Sequence, residues 1–521
     1  MDGKRQFYKL NVPLKVVLWV FVALFSFAAI FLYKSLDVLL SVFPLDNPEA
    51  LVFTLTHNVG GTQNIVWTLL EPVVGVSIEQ FSIVFLFVGF VALAIALLIY
   101  KKKNSPGKKN NLKWFLHITF YSYVIFLFSI GVVTWILAIF KFPVRTFVDA
   151  YGPVLLGWSK ENVLFDKDYV YPDSVQISFD EKRNLIFVIL ESMEYNFQDS
   201  ANGGNVPQNL IPEITDLMKK NVSFEPGGVT VNGTGWTMGE TIAKLCGLPL
   251  MQPLDKNTYG KNDFLKNASC LTDLLKQNGY SVSIAQGTGI KFASMDYFLS
   301  SHNVAEDGIF DIDYFEEKGA NPSDTLFFVS VPDRILYAEV KNLIIGLARA
   351  DEPWTLMFYT IDSHGPYGRM DSNCVDEQNP NMKMELQYPT VLRCASRQLD
   401  DFLNWASTQP WYEHTTFAIM GDHPAMISPE AAGFPKEKFE HYWLTFFVNS
   451  VLPQPKENHQ FTSFDIYPTV LEAMGAKIDG RALGLGRSLF SDQKTLLEKY
   501  GKDSLNALIN RKGDAYNHFW R

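Results

Sequence analysis

Glu191, Thr237, His364, Asp422 and His423 are the residues of this chain whose types and settings could do chemistry together. Asp422 and His423 stand side by side after the apolar run Thr416-Phe417-Ala418-Ile419-Met420-Gly421. Glu191 closes a second apolar run, Asn184-Leu185-Ile186-Phe187-Val188-Ile189-Leu190. Open α/β sheets gather ligand-binding residues at the carboxyl ends of their strands. Two acid-terminated strands far apart in sequence therefore predict a shared edge. A carboxylate and an imidazole in consecutive positions can both turn toward one divalent cation there.

Thr237 has two readings. Thr237-Met238-Gly239-Glu240 fits a capping box, with Thr237 as N-cap and Glu240 at N3, and Cys246-Gly247-Leu248-Pro249 is a fitting stop signal. On that reading Thr237 closes a helix and contributes about 1 kcal/mol. The other reading starts from the glycine-rich approach Asn232-Gly233-Thr234-Gly235, which leaves the hydroxyl accessible. A hydroxyl at a helix start sits where backbone amides and the dipole favour a negative oxygen, and a nearby cation makes it a nucleophile. Both can hold, because the oxygen has two lone pairs. His364, in Thr360-Ile361-Asp362-Ser363-His364-Gly365-Pro366-Tyr367, again follows an apolar run. In a loop over the sheet edge it could bind a phosphate oxygen or protonate a leaving group; a structural hydrogen bond is the plainer alternative. Among the remaining histidines of this half, only His441 is retained as a substrate-binding candidate.

Short apolar segments at 185–190, 281–285, 355–361, 415–420 and 443–448 read as strands. Helical patterns at 212–220, 237–245, 270–278, 331–348 and 388–407 alternate with them. That alternation predicts an α/β domain with a mostly parallel central sheet flanked by helices. The end of the chain, 491–521, reads as an amphipathic helix and a polar tail.

Ahead of this domain the composition changes. Residues 16–33, 81–100 and 114–140 are nearly free of charge and approach or exceed the ~20 apolar residues that cross a bilayer. They define a transmembrane region, 1–140, with a further short or re-entrant span conceivable around 65–76. Residues 141–182 are expected to form a juxtamembrane connector, and 183–521 the catalytic domain. Lys4, Arg5, Lys9 and Lys15, with the lysines of 101–113, flank the spans on one side, whereas 35–80 holds no Lys or Arg. The positive-inside rule then places the part after the third span outside the cytoplasm. Cys246, Cys270, Cys374 and Cys394 all lie in that part, which reads as disulfides; proximity favours Cys246–Cys270 and Cys374–Cys394. No C-x-x-C spacing supports zinc fingers, and a net charge of −10 gives no sign of nucleic-acid binding.

The order of these motifs resembles the alkaline phosphatase/sulfatase superfamily: a strand ending Leu-Glu-Ser, a Gly-x-Thr helix start, a Ser-His-Gly-Pro loop and a Gly-Asp-His strand end. Asp465-Ile466-Tyr467-Pro468-Thr469 looks like its closing Asp-x-x-Pro-Thr segment. Gly233 to Thr237 with Cys246-Gly247-Leu248-Pro249-Leu250, and Leu483-Gly484-Leu485-Gly486-Arg487-Ser488-Leu489, resemble its membrane-anchored phosphoglycerol transferase I branch. The resemblance implies a sulfatase-like exported domain with Glu191, Thr237, Asp422 and His423 as metal ligands. It makes Thr237 the nucleophile and His364 a phosphate-site residue, with one divalent ion, Mn²⁺ or Zn²⁺, or Mg²⁺. It implies a phospholipid donor, a glycan or glucan acceptor, and a bacterial inner membrane with the catalytic domain in the periplasm.

Trp236 and Lys291 are further substrate-side candidates. The tryptophan and arginine that some relatives keep near Lys291-Phe292-Ala293-Ser294 are absent here. Thr237-Met238-Gly239-Glu240-Thr241 lacks the Pro and Arg that formylglycine formation in sulfatases needs, which argues against sulfate ester hydrolysis. Alternatives are phosphoethanolamine transfer to lipid A or another glycan, a metal-dependent phosphodiesterase, and a non-catalytic scaffold. Oligomeric state is left open.

Overall fold

The computed structural model describes residues 12–42, 63–103, 112–142, 163–251, 262–324, 329–374, 382–425, 433–435, 439–511 and 513–521. The chain divides into a helical unit, Met1–Val42 with Asn64–Arg145, and a larger unit that holds Thr146–Arg521.

The helical unit consists of α1 (Val12–Val42), α2 (Gln63–Lys103) and α3 (Leu112–Lys141). Within them Leu14–Asp37, Val73–Ile99 and Phe115–Lys141 are long and apolar enough to cross a membrane. These stretches run beyond the expected bounds at most ends because the helices continue into polar residues. The segment around 65–76 is no separate span. It is the start of α2, whose 41 residues, at about 1.5 Å each, exceed what a bilayer core requires. Val22, Val88, Val124 and Leu127 form the small interior of this unit. Gly131 lets α1 and α3 approach closely: a Cβ there would lie 2.7 Å from Ser26 Oγ, which donates to the Leu127 carbonyl at 3.0 Å. Small residues at such crossings are what close packing in lipid requires.

The larger unit is built on a seven-stranded sheet. Its strands in chain order are β1 (Asn184–Leu190), β2 (Val222–Ser223), β3 (Ser281–Gln286), β4 (Ile309–Phe310), β5 (Trp354–Tyr359), β6 (Thr415–Gly421) and β7 (Thr445–Val448). The spatial order is β2-β7-β6-β1-β5-β3-β4. The run from β6 to β4 is parallel, while β7 runs antiparallel to both of its neighbours, β6 and the edge strand β2. The expected strand 443–448 is therefore split. Tyr442–Trp443 pairs instead with Gly228–Val229, and β7 lies antiparallel beside β6, an arrangement common in largely parallel sheets.

β1 is apolar on both faces because both are covered. Leu185, Phe187 and Ile189 enter one core with Met238, Ile242 and Leu245 of α5 (Thr237–Cys246). Ile186, Val188 and Leu190 enter the other, with Ile214 and Met218 of α4 (Pro212–Lys220). This is the period of two expected of a strand, and each fully buried aliphatic side chain contributes about 1.5–3 kcal/mol. Further helices are α6 (Leu271–Gln277), α7 (Asp333–Leu347), α8 (Tyr388–Ala406) and α9 (Ile466–Ala473). α6 and α9 contribute to the first core, α7 and α8 to the second.

Two expectations about the flanks are corrected. Residues 143–162 of the connector lie outside the described residues, but from Val163 on it belongs to the domain. Leu164 and Phe165 are buried in the first core, and Ile177–Phe179 pairs with Ala476–Ile478. Nor is the end of the chain a polar tail. Tyr516, Phe519 and Trp520 are buried in that core, because aromatic residues outweigh the few charges between them.

At the end of β6, a Cβ on Gly421 would lie 2.0 Å from the Met193 carbonyl oxygen. Gly421→Ala is expected to lower stability by about 1–3 kcal/mol through this overlap, read as a lower melting temperature of the detergent-solubilised protein.

Candidate active site

The register of the sheet brings the acids together. β1 and β6 pair in parallel with Leu190 opposite Gly421, so Glu191 and Asp422 leave neighbouring strands at the same level. The Asp422 amide donates to the Leu190 carbonyl at 3.2 Å. On the other side of β1, β5 supplies Thr360, whose Oγ1 accepts from the Glu191 amide at 3.0 Å. Ser363 Oγ donates to the Glu191 carbonyl at 2.6 Å.

Asp422 divides its oxygens between two tasks. Oδ1 accepts from the backbone amides of Ser192 at 2.7 Å and His423 at 2.8 Å. Oδ2 faces outward and accepts from Thr237 Oγ1 at 3.1 Å. Ser192 makes its contact from a left-handed backbone, φ 52°, uncommon for a residue with a Cβ. Its own hydroxyl donates to Glu191 Oε1 at 2.6 Å. His423 donates through Nδ1 to the Pro424 carbonyl at 2.9 Å, which turns the Nε2 lone pair toward Thr237 Oγ1, 3.3 Å away.

The capping-box expectation for Thr237 fails. The N-cap of α5 is Trp236, in extended conformation, and Thr237 is the first helical residue. Its hydroxyl turns away from the helix to Asp422 and His423. Glu240 is also engaged elsewhere: it accepts from Lys244 Nζ at 2.7 Å, both side chains being buried. Lys244 in turn donates to the Asp422 carbonyl at 2.8 Å and lies 4.2 Å above the Trp443 ring.

The donor set fits a cation on its geometry. Ligands about 2.1 Å from a tetrahedral ion are about 3.4 Å apart. Thr237–Asp422 at 3.1 Å, Thr237–His423 at 3.3 Å, His423–Asp422 at 3.2 Å and His423–Glu191 at 3.9 Å bracket that value. The ligand atoms of Glu191, Asp422 and His423 all lie within 4.8 Å of one another, and all three residues are buried. Burial, and then the neighbouring Asp422 carboxylate, push the Glu191 carboxyl well above its ordinary range. A cation between the two carboxylates relieves that repulsion.

The other expected site residues are placed unevenly. His364 is close enough to His423 and Asp422 to feel their charges, and its Nδ1 donates to the Gly365 carbonyl at 2.7 Å. Burial lowers its pKa to about 4. It is thus neutral at neutral pH, a state suited to contacting phosphate but not to acting as a standing acid. Trp236 packs in the first core, and Lys291 is exposed beside the turn Phe292–Ser294. His441 pairs with the buried Glu194, Nδ1 to Oε2, at 2.6 Å.

Cys246–Cys270 and Cys374–Cys394 are disulfide-bonded, with Cα separations of 4.1 and 5.7 Å. The first removes Cys270 from any metal set with Asp273 and His302. His302 is already committed to Asp273 at 2.8 Å and the Phe264 carbonyl at 3.1 Å. Ser192, Glu194, Lys244, Thr360 and Ser363 escaped the sequence reading. The best available signal was a lysine and a glutamate spaced i,i+4 inside an otherwise apolar helix.

The family model described as Sulfatase matches residues 183–476. The chain belongs to this family. Phosphoglycerol transferase I of Xanthomonas campestris pv. campestris (strain B100) is 27% identical over 314 residues, 60% of this chain and 43% of that protein. Phosphoglycerol transferase I of Salmonella newport (strain SL254) is 26% identical over 332 residues, covering 63% and 42%. The chain thus spans less than half the length of the curated relatives it matches. Among solved structures, an alkaline phosphatase superfamily protein from Vibrio parahaemolyticus aligns with TM-score 0.48 and 17% identity, over 64% of this chain and 77% of that one. The integral membrane lipooligosaccharide phosphoethanolamine transferase A from Neisseria meningitidis aligns with TM-score 0.45 and 12% identity, covering 88% and 96%.

Asp422→Asn is expected to weaken divalent-ion binding by about 10- to 100-fold or more, measured as bound metal after dialysis against graded chelator. An unchanged metal content would remove Asp422 from the ligand set. His364 is expected to titrate near pH 4 and to stay uncharged above that, followed through its ring C–H resonances in metal-free protein.

Proposed function

We propose that this protein is a metal-dependent transferase that moves a phosphoglycerol group from a phospholipid such as phosphatidylglycerol to an acceptor hydroxyl, for instance on a periplasmic glucan. The observation that carries the reading is Thr237 Oγ1 at the start of α5, 3.1 Å from Asp422 Oδ2 and 3.3 Å from His423 Nε2. The printed name of the curated relatives, phosphoglycerol transferase I, supports the choice of headgroup. Glu191, Thr237, Asp422 and His423 would hold one divalent ion, Mn²⁺ or Zn²⁺, with Mg²⁺ as a third option. When bound, the ion supplies Lewis acidity toward the Thr237 oxygen and the phosphoryl oxygens.

The transfer runs in two displacements. Thr237 Oγ1 attacks the phosphodiester phosphorus while its proton leaves along the hydrogen bond to Asp422 Oδ2. The bond to the diacylglycerol oxygen breaks, the proton held by Asp422 reaches that oxygen through solvent, and phosphoglycerol remains on Thr237. An acceptor hydroxyl then attacks the same phosphorus and frees Thr237. The helix start of α5 favours negative charge on the threonine oxygen in both directions. Neutral His364 contacts the phosphoryl group, whose negative charge favours proton uptake by the ring. The apolar spans suit this chemistry, since an anchored domain meets a lipid donor at high local concentration. The reading places the protein in a bacterial inner membrane with its catalytic unit on the periplasmic side.

The test uses the full chain in proteoliposomes with headgroup-labelled phosphatidylglycerol and, in parallel, phosphatidylethanolamine. Peptide mass spectrometry is expected to find a phosphoglycerol adduct on Thr237 with the first lipid. Thr237→Ala should abolish the adduct and cut turnover on the order of 10³-fold or more. Turnover with an unmodified Thr237 would sink the covalent route, and an adduct with the second lipid alone would change the headgroup.

A further inference from the structure

Glu194 is a fully buried carboxylate that the metal set does not use. It lies three residues after Glu191, on the connection that leaves β1, and it holds two things at once. Oε1 accepts from the Ala425 amide at 2.8 Å, just beyond Asp422-His423. Oε2 accepts from His441 Nδ1 at 2.6 Å. Asn196, also buried, grips the backbone on both sides of His441. Its amide donates to the Glu440 carbonyl at 3.1 Å, and its oxygen accepts from the Tyr442 amide at 2.7 Å. Phe439 and Phe434 lie against the imidazole at 4.5 and 5.4 Å between ring centres.

The ring is therefore fixed in position, and its tautomer is set with the proton on Nδ1. Nε2 has no protein hydrogen bond among the described residues, and the side chain is 37% exposed. His302 and His459 differ in this respect, since each commits both ring nitrogens to the protein. Glu194 ties the dyad to the metal carboxylates, since it stands three residues after Glu191 and holds the amide of Ala425, two residues after His423. Burial draws the His441 pKa down, but the hydrogen bond and charge of Glu194, helped by Glu440 and opposed by Lys502, raise it overall. A carboxylate-oriented imidazole with an open Nε2 is a general-base arrangement.

We infer that His441, oriented by Glu194, is the base that takes the proton of the acceptor hydroxyl in the second displacement. The inference rests on the two-step reading above. The acceptor proton passes to His441 Nε2 as the acceptor oxygen bonds to phosphorus. The bond from phosphorus to Thr237 Oγ1 breaks, with its electron pair staying on Oγ1. The imidazolium proton returns through solvent to Thr237, which restores both groups.

The experiment uses the full chain in proteoliposomes with labelled phosphatidylglycerol and a soluble β-glucan oligosaccharide as acceptor. His441→Gln, which can still donate to Glu194, and His441→Ala are expected to release about one equivalent of diacylglycerol and accumulate the Thr237 adduct. Their turnover should fall about 10²- to 10⁴-fold, and added imidazole should restore part of it to His441→Ala. Glu194→Gln should lower turnover in the same direction, with the adduct again accumulating. Unchanged turnover in His441→Gln, or adduct formation reduced as much as turnover in both His441 variants, overturns the role of His441 alone. No adduct in the wild-type protein overturns the two-step reading and this inference with it.

Discussion

Everything at this site depends on one alignment, the parallel pairing of β1 with β6 that sets Leu190 opposite Gly421. It makes Glu191 and Asp422 neighbours, although 230 residues separate them in sequence. A slip of one residue would send alternate side chains to the opposite face and part the two acids. The alignment is locked from both sides. The cores above and below β1 each accept only one parity of its residues, and the Asp422 carboxylate bridges the strand ends through the Ser192 and His423 amides. The absence of a side chain at Gly421 allows the Met193 carbonyl to close over the junction.

Such a site works against stability. Glu191 and Asp422 are buried beside each other, and burial with the mutual repulsion raises the Glu191 carboxyl pKa. Glu240 is buried too, and desolvation outweighs the opposing pull of Lys244 and His423 to leave its pKa raised. Ser192 adds a left-handed backbone. Strain and unneutralised charge of this kind persist only where the surroundings over-determine them. Here the surroundings are two apolar cores and a network in which Lys244 ties the Glu240 carboxylate to the Asp422 backbone.

The strands, the acids at their ends and most helices were legible because they are local signals: apolar runs of the right length, each followed by an acid. Thr237 shows where local signals stop. Its helix start satisfies the capping-box pattern, yet the hydroxyl turns outward because Asp422 and His423, brought in by the sheet, offer it stronger partners than the helix backbone does. Glu194 and Asn196 were invisible for a related reason. The partners that tie them to 425 and 440–442 lie 231 to 247 residues away, and no spacing rule reaches that far. Strand β7 was misjudged in extent because Trp443 belongs to a different pairing, which periodicity alone cannot reveal.

The segments that resembled family signatures but carry no chemistry acquire a mechanical role. Asp465 accepts from the Thr462 amide at 2.9 Å, closing a capping box on the turn Ser463–Asp465 that leads into α9, and also holds the Arg487 amide at 2.8 Å. Thr469 Oγ1 accepts from the Leu489 amide at 3.0 Å, just beyond the glycine-rich turn in which Leu483 pairs with Gly486. That turn rests on the C-terminal end of α5: the Leu485 amide donates to the Gly247 carbonyl at 2.9 Å, beside the disulfide at Cys246. α5 is thus held at its far end by the signature segments and the disulfide, and along its length by Lys244 and the first core. A misplacement of about 1 Å at a reacting atom can cost on the order of 10²-fold in rate. A helix ten residues long that is fixed at its end and its flank presents Thr237 with little freedom to wander. The distant motifs therefore serve the nucleophile by setting the position of the helix that carries it.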